Sequence, residues 1–177
     1  MYYRQRVTLN TLSKYNTILI YINGSTIVMS ETRFWKTTPL QQLTVEQWES
    51  LCDGCARCCL IKLENVDTGE ICTTNLACRY LDLEQGHCTE YQERTRLVPE
   101  CVKLTPDNLA EQFHYMPQSC AYRRVYETGD LPEWHPLLSG DRRAMEAAGI
   151  SIRHYAVSET VITDEDEMFD HIIDCDE

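Results

Sequence analysis

Residues 51–63, "LCDGCARCCLIKL", place four cysteines in eight positions: Cys52, Cys55, Cys58 and Cys59. Cys72, Cys78, Cys88, Cys101 and Cys120 follow, so that only Cys175 of the ten cysteines lies outside 52–120. Thiolate is a ligand for zinc, iron and iron–sulfur clusters, and a closed structural site takes about four donors. C-x-x-C spacing bends two sulfurs round one ion in a tight turn. Here two such pairs overlap as Cys52-x-x-Cys55-x-x-Cys58, with Cys59 appended. Adjacent side chains diverge by ~100° on a helix or point to opposite faces of a strand. Cys58 and Cys59 therefore do not easily chelate one tetrahedral ion together. Their adjacency points to two neighbouring metals, or to one ligand and one core thiol. The eight cysteines at 52, 55, 58, 59, 78, 88, 101 and 120 would supply two four-thiolate sites.

Other uses of thiol fit less well. A disulfide framework needs an oxidising compartment, and buried cysteines acting as small hydrophobes are common only one at a time. Cys72 and Cys175 have no partner at a chelating spacing and read as spare thiols. The bacterial ferredoxin run is C-x2-C-x2-C-x3-C-P. Its first three cysteines match here, but Cys59 follows at once and no proline follows it. Zinc, thiolate-bound iron and an iron–sulfur cluster all stay open.

Among the histidines, His87 stands beside Cys88 and is a substitute ligand or a polar loop residue. His135 and His154 sit in apolar company and read as packing histidines. No G-x-S-x-G, phosphate-binding loop, G-x-G-x-x-G or H-E-x-x-H pattern occurs. No catalytic residue can be named.

The chain has 177 residues and a formal charge of −12, from 28 acids against 16 bases. Nucleic-acid binding relies on Lys and Arg neutralising phosphate, and an anionic membrane surface selects for the same residues. Neither partner is expected; a metal ion is. Residues 1–28 carry Arg4, Arg6 and Lys14 and no acid. Their apolar run, Ile18 to Ile22, is shorter than the ~7–15 residues of a signal-peptide core and far below the ~20 of a membrane span. "ILIYINGSTIVM" reads as a hairpin turning at Asn23-Gly24. The abrupt change of composition at Met29 favours that residue as the start, with 1–28 an untranslated extension. The expected division is 1–28, a cysteine-cluster domain over 29–160, and an acidic tail over 161–177, in a cytoplasmic protein.

Thr44 and Gln47 form a capping-box pattern ahead of a helix that Gly54 ends or bends. Leu60 to Val66 and Glu70 to Thr74 read as a hairpin turning at 67–69. Residues 77–101 are irregular. Thr105-Pro106-Asp107 opens a short helix, a second runs from about Ser119 to Gly129, and a third from Asp141 to Ala148. "SIRHYAV", 151–157, alternates as a strand. The tail holds eight acids in its last fourteen residues and is expected to fray.

The series Cys52-x2-Cys55-x2-Cys58-Cys59, Cys78, Cys88-x2-Tyr91-x2-Arg94 and Cys101 resembles the YkgJ-like cysteine-cluster family, described as zinc- or iron-chelating. "FWKTTPLQQLTVEQWESLCDGCARCC", "TNLACRYLD", "MPQSCAYR", "LPEWHPLLSG" and "ISIRHYAV" look like its YcgN-like bacterial branch. The resemblance covers about residues 31–160 and implies a bacterial cytosolic protein with the eight cysteines as ligands. Cys72 and Cys175 lie outside the pattern, and Arg94-Thr95 stands where the wider family often has Arg-Pro. The fold expected is α+β, with short helices, one or two β-hairpins and irregular segments organised around a cysteine-rich metal site. A metal-binding protein leads. An iron or iron–sulfur enzyme with redox or transfer chemistry, and an acidic adaptor with a structural metal, are the alternatives.

Overall fold

The computed structural model describes residues 9–12, 17–22, 25–30 and 33–175. It divides into two compact units, 1–39 and 40–177. In the first, strands β1 (Leu9–Leu12), β2 (Thr17–Ile22) and β3 (Ser25–Ser30) form an antiparallel sheet in chain order. The β2–β3 register pairs Ile22 with Ser25 and Ile18 with Met29, as a hairpin requires. Its turn, Asn23-Gly24, lies outside the described residues, and Met29 falls within β3. One helical turn, α1 (Phe34–Thr37), follows and buries Trp35.

The second unit is α+β, and the sequence patterns explain most of its elements. α2 (Val45–Ser50) starts at a complete capping box: Thr44 Oγ1 accepts from the Gln47 amide at 3.2 Å, and Gln47 Oε1 accepts from the Thr44 amide at 3.0 Å. Two N–H groups that a helix start leaves unpaired are thereby satisfied. β4 (Leu60–Glu64) and β5 (Ile71–Ala77) are the expected hairpin. Their register shifts between Leu60 and Lys62, which takes Ile61 out of the ladder. The buried Thr74 hydroxyl repairs the gap, donating to the Ile61 carbonyl at 2.9 Å and accepting from the Leu76 amide at 3.2 Å.

The opposite edge of β5 is shared. β8 (Val157–Ser158) runs parallel to Leu76–Ala77, and β9 (Ile172–Cys175) runs antiparallel to Cys72–Thr74. Within 77–101, β6 (Leu81–Asp82) and β7 (His87–Cys88) make a miniature hairpin, and α3 (Arg94–Leu97) is one turn. α4 (Ala121–Thr128) buries Ala121, Tyr122 and Val125 and stops at Gly129, whose φ of +72° suits glycine. α5 (Pro136–Ser139) and α6 (Arg143–Ala147) complete the helices. The core gathers Ala56, Leu60, Ala77, Leu81 and Ile152, with Cys59 packed against it.

Five expectations are corrected. The short helix expected to open at Thr105 is a 3₁₀ helix that starts only at Leu109, Leu109–Tyr115, after a turn in which the Thr105 and Asn108 side chains cap each other's amides. The stretch 151–157 is not a strand. A Ser151 cap starts a 3₁₀ turn over Ile152–His154, and only Val157 reaches a sheet. Alternation there put Ile152 in the core but left His154 exposed, so His154 is not a packing histidine. The acidic tail is also ordered through Cys175. It pairs with β5, His171 Nδ1 lies 2.7 Å from Asn75 Oδ1, and Cys175 forms a disulfide with Cys72. These two cysteines are partners, not spare thiols. Among the described residues no helix is long and apolar enough to cross a membrane.

Candidate metal centre

α2 delivers the chain into the cysteine loop, and the loop is pinned at several points. His135, with no exposed surface, bridges it to α5. Its Nδ1 accepts from the Leu137 amide at 3.0 Å, so Nε2 carries the proton and donates to the Leu51 carbonyl at 3.0 Å. Burial lowers its pKa and keeps it neutral. Both nitrogens are occupied, and His135 is the satisfied core residue its surroundings suggested. Further on, the Cys55 carbonyl accepts from the Ile152 amide at 3.2 Å, and Arg57 Nε donates to the Ile150 carbonyl at 2.8 Å. The backbone enters the left-handed region at Gly54 (φ +75°) and again at Ala56 (φ +62°) before a 3₁₀ turn over Arg57–Cys59. These reversals fold the C-x-x-C-x-x-C run into a compact knot.

The remaining cysteines approach from other elements. A hydrogen bond from the Cys78 amide to the Cys59 carbonyl, at 2.9 Å, sets the end of β5 beside the loop. Cys88 comes from β7, Cys101 follows α3, and Cys120 is the residue ahead of α4. All eight are free thiols. Electrostatic influence links several of them. Cys52 feels Cys58 and Cys120, Cys55 feels Cys58 and Cys52, Cys120 feels Cys58, and the carboxylate of Asp53 bears on all four. Cys59 feels Cys58, Cys78 and Cys101, and Cys101 feels Cys58 ahead of Cys88 and Cys78, so that Cys58 is common to both groups. Cys58 and Cys59 join them, for Cys59 donates a hydrogen bond that favours the Cys58 thiolate while its own proton is held more firmly.

Most of these thiols resist ionisation. Cys52 keeps exposed surface, yet the atoms packed about its sulfur, with Cys58 next, push its pKa up to about 12. Desolvation raises Cys120 to about 11 and Cys55 well above its ordinary value. Cys78 is raised by desolvation and by Glu159, and Cys101 by desolvation against an opposing pull from Arg94. Crowded, desolvated thiols are held protonated until a cation offsets their charge.

Residues outside the cysteine set complete the surroundings. Arg94 lies over the Tyr91 ring, 3.8 Å from its centroid, and donates to the Tyr91 carbonyl, giving the C-x2-Y-x2-R spacing a purpose beside Cys101. Glu159 binds the Arg79 amide and Nε at 2.8 and 3.0 Å next to Cys78. Lys62 supports the Cys58 thiolate. Asp53 is 3% exposed. Sequence reasoning passed over it, although its place inside the first C-x-x-C was a local signal. His87 is exposed on β7 while Cys88 is half-buried.

Soft sulfur donors in sets of four suit zinc or iron. Among the described residues, the one group of three donor atoms within 4.8 Å of each other is Glu70, Cys72 and Cys175, and its sulfurs are spent on the disulfide. No three of the eight free thiols fall within that distance of one another among the described residues.

Residues 51–121 match a family profile described as "Putative zinc- or iron-chelating domain". A UPF0260 protein of Caulobacter sp. (strain K31) is 48% identical over 139 residues, covering 78% of this chain and 85% of that protein. One from Parvibaculum lavamentivorans is 54% identical over 123 residues, 70% of this chain and 80% of its own. The chain belongs to the UPF0260 family. A member from Shewanella amazonensis, 48% identical, is covered over 93% of its length. The profile's span takes in all eight free cysteines and leaves Cys175 outside. No solved structure matches the chain.

Proposed function

We propose that this protein binds zinc or iron through the thiolates of Cys52, Cys55, Cys58, Cys59, Cys78, Cys88, Cys101 and Cys120, as two adjacent four-sulfur sites. The observation that carries the reading is that all eight are free thiols within the residues matching the chelating-domain profile, with the Cys78 amide bonded to the Cys59 carbonyl beside the loop. Two sites would let Cys58 and Cys59 each serve its own ion. Bound metal contributes positive charge where the fold has concentrated and desolvated potential thiolates. It also ties α2, β5, β7, α3 and α4 together at one place, so that binding and folding are coupled.

The reading extends to the YcgN-like branch and to a cytoplasmic location, supported by the motifs shared along residues 31–160. The adaptor alternative rests on an acidic tail that docks a basic partner; β9 pairs with β5, while Asp164, Glu165, Asp166 and Glu167 stay exposed. The test is anaerobic purification of the full chain, with elemental analysis and an absorption spectrum on one sample. About two zinc ions per chain without visible absorption identify a structural or zinc-handling protein. Iron with sulfur-to-metal bands near ~400 nm identifies a redox or enzymatic centre. A metal-free chain with its thiols paired overturns the proposal.

A further inference from the structure

Asp53 is the one carboxylate inside the cysteine loop, and its two oxygens are treated differently by the fold. Oδ1 accepts from the Cys55 amide at 3.0 Å, which fixes the side chain across the C-x-x-C turn. Oδ2 is buried and has no hydrogen-bond partner. A carboxylate oxygen taken from water and left unpaired is costly, and folded proteins retain one where something else completes it. His135 is close enough to feel the Asp53 charge, but its protonated Nε2 is committed to Leu51. The fold thus leaves a buried carboxylate oxygen without a partner inside the run of cysteines, an arrangement that a cation resolves.

We infer that Asp53 Oδ2 is an oxygen ligand of the metal held by Cys52, Cys55, Cys58 and Cys120, so that one site is mixed sulfur–oxygen and the other all-sulfur. This rests on the two-site reading above and adds to it a chemical difference between the sites. Cys59, Cys78, Cys88 and Cys101 offer the soft, closed set expected of a structural ion. The first site has five donors for one ion. Its carboxylate admits a harder metal such as iron(II) and leaves room for a thiol or the carboxylate to be released. The first site is therefore the exchanging one. Gly54 and Ala56, both left-handed, shape the turn in which Asp53 is buried.

The experiment uses the full chain loaded anaerobically with cadmium-113 or cobalt(II). Cadmium NMR of the wild-type chain separates all-sulfur from oxygen-containing coordination without any substitution. One resonance in the all-sulfur region and a second clearly upfield of it are expected. Two all-sulfur resonances overturn the inference and leave the two-site reading intact, whereas failure to bind either metal overturns both. In cobalt-loaded Asp53→Asn, the d–d bands of one ion should move and its affinity should fall by about tenfold or more. The bands of the other ion act as the internal control for folding. Weaker binding with unmoved bands would make Asp53 a positioning residue outside the coordination sphere and overturn its assignment as a ligand.

Discussion

Gly54 shows how much the cysteine loop asks of a single residue. Its φ of +75° is one that L side chains adopt at a cost, and a Cβ there would stand 2.9 Å from the Arg142 guanidinium. The guanidinium is the far end of a flexible side chain and can give way, so the backbone dominates the penalty. Gly54→Ala should destabilise the protein by about 1–2 kcal/mol, read from the midpoint of denaturant unfolding of the metal-free chain. A smaller loss would mean that the loop relaxes out of the left-handed region. At the same scale, His135 and Asp53 make a useful contrast. Both are buried and polar, but His135 has two partners and needs nothing more, while Asp53 has one oxygen without any. Satisfaction, more than burial, marks which of them has work left to do.

Among the elements, β5 carries the most. It pairs with β4, β8 and β9, holds Cys72, and ends one residue before Cys78. The disulfide from Cys72 to Cys175 spans 103 residues, a separation for which chain-entropy arguments give a stabilisation of about 4–5 kcal/mol. Cys175→Ser should lower unfolding stability by up to that amount under oxidising conditions and by little once the wild-type link is reduced. Equal stability of the two chains in oxidising buffer would show that the link does not form. Because cytosol keeps thiols reduced, alkylation and mass spectrometry of chains from anaerobically lysed cells should find Cys175 free if the protein is cytoplasmic. β9 would then rest on its ladder to β5 and on His171–Asn75 alone. The local signals for α2, α4 and the β4–β5 hairpin were legible because caps, glycines and alternation all agreed. Those for 151–157 and the tail were not, since pairing with β5 decides both and neither segment announces its partner.

Across the whole molecule, the raised thiols link stability to pH. Cys52 and Cys120 titrate at about 12 and about 11 in the folded chain, against an ordinary 9.0. The folded state binds those protons more tightly, so their contribution is complete below pH 9.0 and is lost as pH climbs through 11 and 12. Cys58 is shifted downward, but its contribution is fully present above 9.0 and leaves the sign in that window unchanged. The metal-free chain should therefore lose stability from pH 9 to 12. The metal-bound chain, whose ligands must be thiolates, should lose it on acidification, as protons displace the ion. Thermal unfolding of both forms across pH checks this, and parallel profiles would contradict thiolate ligation.

The sequence by itself determined that thiols concentrate in one region and that short elements with strong caps surround them; the divergence expected of Cys58 and Cys59 is not found, since their side chains are hydrogen-bonded. Spacing and side-chain chemistry are local properties, readable without a fold. Only the tertiary structure decided which distant cysteines approach the loop, as where the Cys78 amide bonds to the Cys59 carbonyl, because that approach depends on packing. It alone joined Cys175 to Cys72, and it alone left Asp53 buried with an unpartnered oxygen. Each of these depends on which distant atoms exclude water from a group, a quantity that exists only once the chain has closed upon itself.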